Sequence, residues 1–103
     1  MALDLIPARH ERGIHASRRL FAIDETLHSQ LMSRAQPSGD YPLLHQLHDY
    51  YADTVLPLGE LPRLHAELTR VAARFTDPGQ VRELLRFVEQ AIADGDNLYA
   101  VAD

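Results

Sequence analysis

The amino-acid sequence predicts a mainly α fold, about four amphipathic helices in a small bundle with an N-terminal β-hairpin and a docked, extended C-terminal segment; a small α+β arrangement is the alternative. Three observations lead there. Apolar residues recur at steps of three and four through residues 61–75 and 81–92, the period of a helix with one buried face. Breaks rich in Pro, Gly and Asp at residues 36–40, 57–59 and 76–79 mark where helices stop and start. The ending after Gly95 is too apolar for a free tail.

Residues 1–23 lack helical periodicity. Short apolar runs (Leu3-Asp4-Leu5-Ile6, then Ile14 and Leu20-Phe21) flank the polar turn His10-Glu11-Arg12-Gly13, which suggests a hairpin. Pro7 cannot donate to a ladder and is expected on an edge. From Asp24, a good cap, Leu27, Leu31 and Ala35 with Met32 beside them form a short helix. Asp40-Tyr41-Pro42 opens a second, expected over residues 42–55. There Leu43, Leu44, Leu47, Tyr50, Tyr51 and Val55 fall on one arc and Gln46, Asp49 and Asp53 face the other way. Leu61, Leu64, Leu68, Val71 and Phe75 mark a third helix, with Pro62 tolerated in its first turn. A fourth starts at Pro78 behind Asp77, aligns Val81, Leu84, Leu85, Val88, Ala91 and Ile92, and stops at Gly95. Residues 96–103 then pack back beside the hairpin. The expected core is Leu64, Leu68, Val71, Leu84, Leu85 and Val88.

At 103 residues and 46% hydrophobic content, the chain suits a single domain over residues 1–103 with one core. Cysteine is absent, which excludes disulfides and thiolate metal sites and agrees with a reducing compartment. An acid and a proline stand where an export signal needs a basic start and an apolar run, so a cytoplasmic location is expected. Uncharged apolar stretches fall far short of the ~20 residues that span a bilayer, so no membrane partner is expected. The net charge of −5 is uneven: residues 1–36 carry five Arg against four acids, residues 37–103 five Arg against eleven. Such an acidic surface disfavours nucleic acid and suits a basic protein partner. A homodimer is compatible with a protein-binding module and with a metal-binding one.

No catalytic constellation stands out. Cys is lacking, and no serine sits in an elbow-like Gly-x-Ser-x-Gly context. The single glycines make no phosphate cradle, and no cofactor is expected. His45, His48 and Asp49 share a helix face in the expected 42–55 helix and could offer a metal two imidazoles and a carboxylate. A metal-binding or metal-assisted enzyme using these three is therefore the alternative function. It lacks a His-Glu-x-x-His pattern and a matching ligand elsewhere, so no metal site is assigned. Pairs such as Arg63/Glu67, Glu67/Arg70 and Glu83/Arg86 are expected to meet across helix turns on solvated faces.

Tyr41-Pro42-Leu43-Leu44, Asp49-Tyr50-Tyr51, Asp53, Ala91-Ile92 and the ending Leu98-Tyr99-Ala100-Val101-Ala102-Asp103 resemble those of short uncharacterised bacterial helical proteins, over roughly the last 60 residues. In size, charge and helix content the chain is also similar to small acidic immunity proteins. That resemblance implies a non-catalytic protein-binding module, an immunity or antitoxin-like inhibitor of a basic partner. The expected partner-binding residues are Asp49, Tyr50 and Asp53 on the outward face of the 42–55 helix, with Tyr51 turned into the core.

Overall fold

The computed structural model describes residues 2–102. It overturns the expected helix bundle in favour of the α+β alternative, three α-helices on a four-stranded antiparallel sheet. The elements are β1 (Leu3–Ala8), β2 (Phe21–Ile23), α1 (Glu25–Arg34), β3 (Thr54–Leu56), α2 (Leu61–Ala72), α3 (Gly79–Asp94) and β4 (Asn97–Ala102), with short 3-10 turns between them. The sheet order is β2-β1-β4-β3. β4 pairs with the whole of β1, Leu3 opposite Ala102 and Ala8 opposite Asn97, and on its other side with β3. The C-terminal segment is thus docked as a central strand, between the hairpin and a strand that the sequence did not announce.

Strand alternation explains why a sheet is stable here. Leu3 and Leu5 of β1 and Leu98 and Ala100 of β4 are buried, while the intervening Asp4, Ile6, Tyr99 and Val101 are half-buried. The buried set joins Leu56, the α2 stripe Leu61, Leu64, Leu68 and Val71, and Val81, Leu84 and Val88 of α3 in one continuous core. Leu85, expected in that core, is only partly buried and packs at its margin. Pro7 lies in a central strand rather than an edge strand. β2 pairs only with Leu3 to Leu5, however, so at Pro7 β1 has a neighbour on one side alone and the missing N–H removes no ladder bond to β2.

The three real helices carry the signals read from the sequence. The Asp24 carboxylate accepts from the Leu27 N–H at 2.7 Å and caps α1. The Asp77 carboxylate accepts from the Gly79 N–H ahead of α3, and Gly95 closes that helix at φ 72°, a left-handed conformation that glycine adopts without a Cβ clash. Among the described residues no helix is long and apolar enough to cross a membrane.

The helix expected over residues 42–55 does not form. A 3-10 turn at Leu44–Leu47 is followed by an irregular loop and then by β3. Local and distant competitors explain the difference. The Asp49 side chain accepts from the Tyr51 N–H at 2.9 Å, an Asx-turn that bends the chain out of the helix. Thr54 and Val55 are β-branched and find an open edge on β4.

Candidate functional site

The segments on either side of Tyr41 are held by polar residues of α2 and of the turn that follows it. Glu67 and Arg70 stand at i and i+3 of α2, and Arg74 lies just past the end of the helix. The Glu67 carboxylate, 4% exposed, accepts from the Leu43 N–H at 3.1 Å and the Leu44 N–H at 3.0 Å, which supplies the start of the 3-10 turn with acceptors. Arg70 donates to the Asp40 carbonyl, and Arg74 to the carbonyls of Arg34 and Gln36. Glu67 is therefore not the solvated helix-pair residue that its spacing to Arg63 and Arg70 suggests. Its position on the flank of the apolar stripe, between Leu64 and Val71, is the signal that could have found it. Glu67→Ala strands two buried donors and should cost about 1–3 kcal/mol, with Glu67→Gln milder because an amide oxygen still accepts. Urea unfolding checks this; a loss under about 0.5 kcal/mol for Glu67→Ala would show that the anchor is idle.

Beyond this anchor the turn is tied to α1. His28, 9% exposed, donates its Nε2–H to the Leu47 carbonyl at 2.6 Å, which fixes the loop of residues 48–51 over one face of the helix. Glu25, His28, Ser29, Met32 and Ser33, at i, i+3, i+4, i+7 and i+8 of α1, form one wall of an open groove of about 490 Å³. His48, Tyr50 and Tyr51 form the other. The Tyr50 ring packs 4.9 Å from the His28 ring, and Tyr51 meets Tyr50 edge-on at 5.5 Å and 80°.

The two tyrosines have exchanged the places expected of them. Tyr50 is buried at 8% exposure and Tyr51 is 65% exposed, because the Asx-turn, not a helical step, sets their directions. Burial raises the Tyr50 hydroxyl above its ordinary pKa, and the charges of Glu25 and Asp24, then Tyr51 and Asp4, push the same way. The phenol is neutral at physiological pH, in a field made negative by carboxylates.

Asp49, Tyr50 and Asp53 do not form the single outward face expected of them. Asp49 and Tyr50 belong to the loop beside the groove. Asp53 accepts from the Ala102 N–H at 2.8 Å, tying the start of β3 to the end of β4, and lines a different cleft with Val55 and Tyr99 on the sheet's outer face. The potential metal trio is also dispersed. His45 donates Nε2–H to the Ala35 carbonyl at 2.7 Å, His48 donates Nδ1–H to the His45 carbonyl at 2.8 Å, and Asp49 is the Asx acceptor. Among the described residues no group of three or more His, Asp or Glu is placed to hold a metal ion. Compared with family models, curated proteins and solved structures, the chain matches none.

Proposed function

We propose that the chain is a non-catalytic, cytoplasmic protein-binding module, an immunity or antitoxin-like inhibitor, that receives a basic partner at the groove between α1 and the 48–51 loop. The observation that carries the reading is Tyr51, an aromatic ring 65% exposed and braced edge-on by a buried Tyr50 beside the Glu25 carboxylate. A rigid exposed tyrosine is the kind of side chain that anchors an interface, and negative charge around it accelerates encounter with a positive surface. The net charge of −5 acts in the same direction at longer range. The histidines at the groove are engaged by backbone carbonyls, an arrangement that suits a fixed surface. Asp49 and Tyr50 keep a place in this reading as the turn and the brace that set Tyr51; Asp53, on another surface, leaves it.

Affinity capture from the native organism with the wild-type chain and with Tyr51→Ala tests the reading. A basic protein should be retained by the wild type and released by Tyr51→Ala at lower salt, with the fold unchanged. Equal retention by both, or a partner with an acidic surface, would overturn it.

A further inference from the structure

We propose that the exposed Tyr51 ring and the facing wall of α1 form a receptor for one arginine side chain of the partner, its guanidinium stacked on Tyr51 and its N–H groups taken by acceptors of the groove. This rests on the groove being the docking site and narrows it to a single side chain.

Acceptors line the groove beside the hydroxyls of Ser29 and Tyr51, which can donate as well as accept. His48 carries a proton on Nδ1 to donate to the His45 carbonyl, the tautomer in which Nε2 serves as an acceptor. The His28 ring is committed through Nε2 to the Leu47 carbonyl and packs on Tyr50. The Glu25 carboxylate only accepts, and Ser33, which donates to the Gln30 carbonyl, keeps its lone pairs. No arginine or lysine lines the groove. A planar cation with five N–H donors complements such a set; an ammonium brings three donors from one point, and a quaternary ammonium none.

The rest of the chain solves the same problem with its own arginines. The Arg34 guanidinium lies 4.6 Å from the Phe75 ring and that of Arg19 lies 5.1 Å from Phe87. Arg70 and Arg74 lie over Tyr41 at 5.0 and 5.3 Å while donating to nearby carbonyls. Tyr51 is more exposed than any of these rings and, among the described residues, has no arginine over it. Ring, acceptors and negative field are present there, and the guanidinium is the part that another molecule would bring.

N-acetyl-arginine amide, N-acetyl-lysine amide and tetramethylammonium, each titrated into ¹⁵N-labelled protein, test the assignment. Saturable shifts are expected for the arginine compound, confined to residues 25–33 and 48–51, with the lysine compound weaker by about threefold. Tyr51→Ala should weaken arginine binding roughly fivefold and Tyr51→Phe leave it close to wild type, since the ring face and not the hydroxyl makes the contact. Glu25→Gln should also weaken it. Shifts that do not saturate, shifts centred elsewhere, or tetramethylammonium binding as tightly as the arginine amide would overturn the proposal, the last by assigning the groove to small quaternary ammonium compounds. If Tyr51→Ala loses the arginine amide yet still captures the partner, the docking reading fails and the receptor stands. If it loses the partner but not the arginine amide, the receptor fails and the docking reading stands.

Discussion

Truncation after Gly95 should abolish the cooperative fold. The deletion removes β4, which pairs with all six residues of β1 and with all three of β3. It takes Leu98 and Ala100 from the core, at 0% and 1% exposure, and uncovers Leu3, Leu5 and Leu56. It also removes Asn97, whose amide donates to the Arg9 carbonyl and accepts from the Leu58 N–H, joining the end of β1 to the chain beyond β3. Loss of one buried leucine side chain commonly costs about 2–5 kcal/mol, and whole domains are stable by only about 5–15 kcal/mol, so the loss of a central strand exceeds the reserve. The expected result is a chain without a sharp thermal transition and with collapsed amide dispersion. A truncated protein that melts cooperatively within a few degrees of the full chain would show that the helices and the remaining strands suffice.

Leu68→Ala should be the most damaging of the conservative core truncations on α2. Leu68 is fully buried, on the α2 stripe that joins the sheet and α3 in the common core. Deleting its side chain leaves a void that a helix braced on both sides closes poorly, and a loss of about 2–5 kcal/mol is expected. Leu85, at the same apolar spacing in its own helix, is only partly buried, so Leu85→Ala should lose less than half as much. Urea midpoints at unchanged slope measure both. Equal losses at the two positions would place Leu85 deeper than it lies here; a loss below about 0.5 kcal/mol at Leu68 would contradict the packing of α2.

The three helices were legible because each combines a periodic stripe with local punctuation: Asp24 before α1, Pro62 within the first turn of α2, Asp77 and Gly95 around α3. The docking of the C-terminal segment was legible from its apolar content alone. The segment of residues 42–55 was not. Its apolar positions satisfy a helical period, but short apolar runs satisfy more than one period, and the arbiters lie elsewhere in the chain: Glu67 on α2, the edge of β4, and the carboxylate of Asp49. The side-chain directions expected in that segment changed accordingly. Tyr51, expected in the core, is exposed, and Asp53, expected on one outward face with Asp49, instead ties the start of β3 to the end of β4, because both expectations assumed helical steps. Nothing local in the sequence indicates that the His28 ring meets the Leu47 carbonyl.

The central place of β4 has a kinetic consequence. Leu3 faces Ala102 across the ladder, so the pairing at the middle of the sheet is also the one with nearly the greatest separation along the chain. The hairpin of β1 and β2 and the three helices can assemble from near neighbours, but β1 and β3 share no partner until β4 arrives between them. Closing so long a loop exacts its entropy before any of the ladder's contacts return it. During synthesis, the facing edges of β1 and β3 stay unpaired until residues 97–102 have emerged.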